Sequence, residues 1–155
     1  MRLIDQGKDY VLSLYRIVVC LLFVSHGAGT LFGVLGGKRQ ALAFGSWPGW
    51  WAAVIQLVAG GLVLIGLFTR VAALLCSGSM AFAYFTVHLP KSFFPLENGG
   101  EASVQFCWAY LLVVFLGPGV WSIGRLLRRF AEVRRNFGGY PRRAMRPSQD
   151  RVAQE

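Results

Sequence analysis

Acidic residues, histidines and cysteines are scarce in this sequence: among its 155 residues there are seven Asp and Glu, two His and three Cys. Charged residues of both signs together make up only 15%, whereas soluble domains carry about a quarter. Hydrophobic residues reach 55% and occur in long runs. This composition excludes an ordinary soluble domain and is typical of a chain embedded in a lipid bilayer.

The few potentially reactive residues form no recognisable catalytic or metal-binding motif. Cys20, Cys76 and Cys107 each lie within an apolar run, and no Cys-x-x-Cys pair occurs. The cysteines therefore predict neither a disulfide framework nor a zinc site. A phosphate-binding glycine loop and a nucleophile elbow are also missing. We assign no catalytic residue and no metal ligand, and we favour a protein that is not an enzyme on its own.

Four apolar segments approach the roughly 20 residues that cross a bilayer core. They cover residues 10–35, 50–68, 71–89 and 103–120. The first is too long for a signal peptide, which predicts a retained helix. Only Thr69 and Arg70 separate the second from the third, which predicts a tight antiparallel hairpin. We predict an all-α fold: a four-transmembrane-helix domain over residues 1–124, followed by a basic segment over residues 125–155.

Basic residues are concentrated at the C-terminus, where nine of the sixteen Lys and Arg lie at or beyond Arg125. A basic tail next to apolar segments indicates topology rather than nucleic-acid binding, and we predict no nucleic-acid partner. If the tail is cytoplasmic, thirteen basic residues lie inside and only Lys38, Arg39 and Lys91 lie outside. The bias predicts a multi-pass plasma-membrane protein with both termini in the cytoplasm.

Residues 121–137 have the pattern of an amphipathic helix. Ile123, Leu126, Leu127, Phe130 and Val133 recur at helical spacing, and Arg125, Arg128, Arg129 and Arg135 fall on the other side. We predict a cytoplasmic helix in the headgroup layer, held by anionic lipid. Positive-inside anchoring is the simpler interpretation, and a docking site for a partner protein is the alternative. The residues beyond 139 have a composition that predicts disorder.

Six polar residues lie within or at the ends of the apolar segments, where lipid would leave them unsatisfied. They are Arg16, His26, Gln56, His88, Glu101 and Gln105. The predicted topology puts all except Arg16 in the outer half, which predicts a ligand-binding pocket that opens outward. The alternative is that these groups only hydrogen-bond one another between helices. Arg16 lies near the inner end, where it either joins a site or extends to the interface.

Two further expectations concern the helices themselves. A haem held by His26 and His88 is disfavoured, because one histidine lies at a helix end and the chain offers no second ligand pair. Ser25, Gly29 and Gly33 are spaced by four residues in the first segment. Such a stripe of small residues predicts the face on which this helix closely approaches its neighbours.

Several stretches resemble the DoxX family of small membrane proteins. They are Leu14-Tyr15-Arg16-Ile17 leading to Ser25-His26-Gly27, residues 60–70 (GGLVLIGLFTR), residues 83–95 (AYFTVHLPKSFFP) and Asn98-Gly99-Gly100-Glu101. The resemblance covers residues 10–124 and implies a four-span fold. The chain departs from the family pattern at Gln56, where members often carry glutamate. If proton exchange at that glutamate belongs to the family's chemistry, this chain lacks it.

The resemblance also implies a link to redox biology. Members of the family are associated with thiosulfate:quinone oxidoreduction and, in actinobacteria, with membrane complexes that handle thiols and superoxide. We therefore expect an actinobacterial-like accessory subunit of an oxidoreductase complex, whose outer pocket binds a quinone or similar small molecule. The second hypothesis is a membrane anchor that holds partner subunits through Phe93, Phe94 and the basic helix. A transporter is less favoured, since no segment is visibly broken at mid-membrane.

Overall fold

The structure, a computed structural model, describes residues 2–34 and 42–138, and within these ranges the secondary structure is entirely helical. The elements are α1 (Arg2–Phe32), α2 (Gly49–Ile65), α3 (Thr69–Ala83) with a π-helical turn at Tyr84–His88, α4 (Pro95–Asn98), α5 (Glu101–Leu116) and α6 (Ile123–Gly138). The predicted all-α class is confirmed. Two stretches, Gly7–Phe32 and Thr69–His88, are long and apolar enough to cross a membrane, while α2 and α5 are shorter apolar helices.

One apolar core joins α1, α2, α3 and α5. Its buried members come from all four helices: Cys20 and Phe23, Ala59 and Val63, Ala72, Ala73, Cys76 and Met80, and Tyr110 and Val113. Many other large apolar side chains remain exposed on the outside of these helices, including Leu14, Val58, Leu75 and Phe115. Apolar surface facing outward on this scale is expected where lipid, rather than water, surrounds the protein.

The turn between α2 and α3 comes before Thr69 and Arg70, the two residues at which the sequence predicted it. Gly66 ends α2 in the left-handed conformation, and the Leu67 amide donates to the Leu62 carbonyl at 3.0 Å. This pattern is a Schellman motif, which glycine allows because it has no Cβ. The turn therefore spans residues 66–68, and Thr69 and Arg70 form the first turn of α3. The prediction that these two residues alone make the hairpin turn is wrong.

Close approach between α1 and α2 occurs at Gly27, which is buried. A Cβ on Gly27 would lie 2.8 Å from the Gln56 Cβ and 3.0 Å from the Ala53 carbonyl oxygen. Ser25, in contrast, is exposed. The prediction that Ser25, Gly29 and Gly33 form the contact face is therefore wrong. The backbone of α2 packs instead against Gly27, which lies between Ser25 and Gly29.

Arg16 joins α1 to the C-terminal end of α2 and to the segment that follows α5. Its side chain is 1% exposed and donates to the carbonyl oxygens of Val63, Leu64 and Trp121. The neighbouring Ser13 hydroxyl accepts a hydrogen bond from the Val120 amide at 2.7 Å. Arg16 thus lies inside the protein, where backbone carbonyls accept its hydrogen bonds. We call this region the Arg16 end.

The described chain divides into two compact units, one ending at Arg125 and one beginning at Leu126. The first unit contains the core and the whole of α1 to α5. The second contains most of α6, in which the apolar residues Leu126, Leu127, Phe130 and Val133 are all exposed. Arg125, Arg128, Arg129 and Arg135 are exposed too.

Candidate functional site

A cavity of about 350 Å³ lies at the opposite end from Arg16. Four helical segments and Leu42 of the connection before α2 form it. The segments are the C-terminal part of α1, the N-terminal part of α2, the α3 segment with its π-helical turn, and the start of α5. Its polar lining groups are His26, Thr30, Gln56, His88 and Ser103, and its apolar walls include Phe23, Leu42, Met80, Val87 and Phe106. Among the described residues, no Asp, Glu, Lys or Arg lines this cavity. It is an apolar pocket with a few polar groups, the usual character of a small-molecule site.

Gln56 is the most deeply buried polar side chain of the cavity lining. It is 6% exposed, and its Oε1 atom has no hydrogen-bond partner among the described residues. A buried amide oxygen without a partner costs about 1–3 kcal/mol, so native proteins rarely leave one unsatisfied. Gln56 is held in position by its α2 backbone, which packs against Gly27 of α1. The orphaned oxygen is a specific reason to expect a further group at this site.

His88 reaches the cavity from the π-helical turn that ends the α3 segment. The wider turn is marked by the Leu89 amide, which donates to the Tyr84 carbonyl at 2.8 Å. The Nδ1 atom of His88 lies 3.1 Å from the Asn98 carbonyl oxygen, and the ring stacks on Tyr84 with centroids 6.5 Å apart. Single π-helical turns within α-helices are frequent at functional sites. Here the turn brings His88 within hydrogen-bond distance of the segment before α5.

Asn98 holds that segment in place and was given no role by the sequence. Its side chain is buried, its Nδ2 donates to the Ser92 carbonyl at 2.7 Å, and its Oδ1 accepts from the Gly100 amide at 2.7 Å. With the backbone carbonyl engaged by His88, the main polar groups of this residue are satisfied. Asparagine in an apolar-rich turn is the signal that could have identified it, because such residues stabilise turns through backbone hydrogen bonds.

His26 lines the same cavity from α1, one residue before the contact glycine Gly27. It is exposed, and its backbone carbonyl accepts from the Thr30 hydroxyl at 2.9 Å. The structure therefore brings three of the six candidate residues together: His26, Gln56 and His88.

The other three candidates lie elsewhere. Glu101 and Gln105 are exposed on α5 and do not line the cavity, whereas Ala102, Ser103 and Phe106 do. Each residue advances about 100° around a helix, so a shift of one position changes which side chains face inward. The start of α5 does line the cavity, but the sequence did not determine the rotation of this helix. Arg16 lies at the opposite end, hydrogen-bonded to backbone carbonyls.

The two sets of residues predicted to contact partners or lipid, the Phe93–Phe94 pair and the arginines of α6, are both exposed. Phe93 and Phe94, just before α4, are 73% and 61% exposed, and the Phe93 carbonyl accepts from the Tyr84 hydroxyl at 2.7 Å. The arginines of α6 are exposed as well. Within residues 2–34 and 42–138, no three His, Cys, Asp or Glu side chains lie close enough together to hold a metal ion.

Comparison with known proteins gives consistent matches. The DoxX family model matches residues 11–89, which include His26, Gln56 and His88. An uncharacterised protein of Haemophilus influenzae is 35% identical over 130 residues, covering 79% of this chain and 95% of that protein. The inner membrane protein YqjF of Escherichia coli K12 is 32% identical over 127 residues, with the same coverage. No solved structure matches significantly. On these matches, the chain belongs to the DoxX family of membrane proteins.

Proposed function

We propose that this protein is an accessory membrane subunit of a redox system and that its cavity binds a quinone. The observation that carries the proposal is Gln56: a buried amide whose oxygen has no partner, in the wall of an otherwise apolar cavity. A quinone headgroup is flat and mostly apolar; its two oxygens accept hydrogen bonds in the oxidised form and, as hydroxyls, also donate them in the reduced form. Phe23, Met80 and Phe106 supply apolar walls for such a ring. The Gln56 amide N–H can donate to either form, and its partnerless Oε1 can accept from a hydroxyl of the reduced form. His26 and His88 add ring nitrogens to the same lining.

The test is to identify what the purified protein carries. We expect solvent extraction and mass spectrometry to recover an isoprenoid quinone from the wild type, and to recover at least about fivefold less from Gln56→Leu. Gln105→Leu is the matched control, because it makes the same substitution at an exposed position outside the cavity. Wild-type protein free of quinone, or equal recovery from the two variants, would count against the proposal.

A second variant separates loss of ligand from loss of fold. Ala102 is exposed and lines the cavity, so Ala102→Trp adds bulk at the pocket without disturbing the buried core. We expect Ala102→Trp to lose bound quinone, and Gln105→Trp to retain it. Both variants are expected to show the wild-type circular dichroism spectrum. Retention of quinone in a folded Ala102→Trp protein would argue that the ligand lies elsewhere.

In the bilayer, we propose that α1, α2, α3 and α5 all cross the plasma membrane, as one domain over residues 1–124. The segment 125–155 then lies in the cytoplasm with the N-terminus. The 17 and 16 residues of α2 and α5 extend about 24–26 Å, slightly less than a hydrocarbon core of about 30 Å. Local thinning of the bilayer accommodates a shortfall of this size. In this orientation the cavity opens outward and the Arg16 end faces the cytoplasm.

A structural anchor is the second candidate function, and the exposed aromatic pair favours it. Phe93, Phe94 and Leu96 together leave large apolar side chains uncovered next to the cavity end. Chemical crosslinking in intact cells followed by purification tests it. If the protein is an anchor, we expect a stoichiometric partner that is lost in Phe93→Ser/Phe94→Ser and kept in Phe44→Ser, another exposed loop aromatic. A protein that purifies alone in every case does not support an anchoring role.

A further inference from the structure

The hydrogen bond between His88 and Asn98 determines which ring nitrogen remains for a ligand. A backbone carbonyl can only accept, so the Nδ1 atom of His88, 3.1 Å from the Asn98 oxygen, must carry the proton. In the neutral imidazole the other nitrogen, Nε2, is then an acceptor. His88 lines the cavity, so the ring nitrogen that it has left for a ligand is an acceptor rather than a donor.

The segment that carries the Asn98 carbonyl is held in place. The Asn98 side chain bonds to the Ser92 carbonyl and the Gly100 amide, both at 2.7 Å, and the residue is buried. The carbonyl that fixes the proton on Nδ1 thus keeps its position through bonds that do not involve the histidine. Asn98 acts as a positioning residue for the tautomer of His88.

An oxidised and a reduced quinone differ in the hydrogen bonds that they can make. A quinone carbonyl only accepts, so next to Nε2 it would bring two acceptors together and leave both unsatisfied. A quinol hydroxyl donates to Nε2 and still accepts a hydrogen bond from an amide N–H such as that of Gln56. His88 Nε2 and the partnerless Gln56 Oε1 are both acceptors, and a hydroxyl satisfies them better than a carbonyl does.

We infer that the cavity binds the reduced, hydroxyl-bearing form of its quinone in preference to the oxidised form, with His88 as the hydrogen-bond acceptor. This inference rests on the proposed function of the same cavity. It goes beyond that function because it states which redox form the site stabilises.

The test measures binding of menadiol and of menadione to the full-length protein in detergent micelles under nitrogen. Equilibrium dialysis, with protein-free micelles subtracted, gives the two dissociation constants. We expect the wild type to bind menadiol at least about fivefold more tightly, the ratio that one additional hydrogen bond supports. In His88→Leu we expect the two constants to be equal, while Gln105→Leu keeps the wild-type ratio.

The possible outcomes separate the two proposals. Equal binding of both forms by the wild type, or tighter binding of menadione, overturns the inference and leaves the proposed function standing. Binding of neither form above the micelle background overturns both. A preference for menadiol that persists in His88→Leu overturns the role of His88. The ratio of the two wild-type dissociation constants alone decides whether the reduced form is preferred. A variant that fails to fold therefore does not change that conclusion.

Discussion

A guanidinium nitrogen of Arg16 donates to the carbonyl oxygen of Leu64 at 2.7 Å and so joins α1 to the C-terminal end of α2. The same side chain bonds the carbonyls of Val63 and Trp121. A cation near a helix C-terminus is favourable because the last carbonyls have no partner within the helix. One buried arginine therefore stabilises the junction of α1, α2 and the segment after α5.

Replacing Arg16 is expected to destabilise the protein strongly. Arg16→Met removes the donor for three carbonyls, and each buried acceptor without a partner costs about 1–3 kcal/mol. The measurement is the midpoint of thermal unfolding in detergent, followed by tryptophan fluorescence. Arg70→Met is the matched control, because Arg70 is exposed. Similar midpoints for the two variants would contradict a stabilising role for Arg16.

Adding a methyl group to Gly27 is expected to disturb the contact between α1 and α2. The new Cβ would lie 2.8 Å from the Gln56 Cβ and 3.0 Å from the Ala53 carbonyl oxygen, closer than van der Waals contact allows. Overpacking of this kind costs about 1–3 kcal/mol. We expect Gly27→Ala to lower the unfolding midpoint by several degrees.

Gly78→Ala provides the control for that experiment. Gly78 also lies in a helix, but a Cβ added there meets nothing within 4 Å. Alanine favours a helix over glycine by about 1 kcal/mol, so we expect this variant to unfold at the wild-type temperature or above it. If Gly27→Ala behaved like Gly78→Ala, α1 and α2 would not be in the close contact described.

The proposed topology is tested by reporter fusions in living bacteria. Alkaline phosphatase is active only outside the cytoplasm, and green fluorescent protein exported through the general secretion pathway does not become fluorescent. We expect a green fluorescent protein fusion after residue 155 to fluoresce. We expect a phosphatase fusion after Lys91, which lies between the π-helical turn and α4, to be active. Fluorescence at both positions, or phosphatase activity at both, would rule out this arrangement of spans.

Anionic lipid is expected to protect α6 from hydrogen exchange. In α6, the apolar residues Leu126 and Phe130 and the basic residues Arg128 and Arg129 are all exposed. A surface helix of this kind buries its apolar face in the headgroup layer and is attracted by negative charge. In nanodiscs that contain 30% phosphatidylglycerol, we expect backbone amides of Ile123–Gly138 to exchange about tenfold more slowly than in pure phosphatidylcholine.

Salt distinguishes the electrostatic part of this effect, because it screens exposed charges within about 10 Å at 0.1 M and more strongly at higher concentration. We expect 0.5 M NaCl to remove most of the difference between the two nanodiscs. The amides of α5, within the core unit, serve as an internal control and should exchange equally in both. Equal exchange of α6 amides in the two lipids would exclude a preference for anionic membranes.

Part of the site could be predicted from the sequence because histidine and glutamine are conspicuous in apolar helices. His26, Gln56 and His88 were identified in this way, and all three line the cavity. Glu101 and Gln105 were selected on the same ground, but they point away from it. Polarity identifies a residue that needs an explanation, whereas helix rotation decides what the residue faces, and rotation depends on packing against other helices.

The sequence by itself determined the helical class and the membrane character, since both follow from how many apolar residues occur in succession. Residue patterns also identified the DoxX family, which the comparisons confirmed. Tertiary structure alone decided that Gly27 is the contact glycine, that Arg16 bonds to backbone carbonyls at the end of α2, and that the Asn98 carbonyl lies within hydrogen-bond distance of His88. These relationships join residues on different elements, and their geometry arises only when the helices pack together.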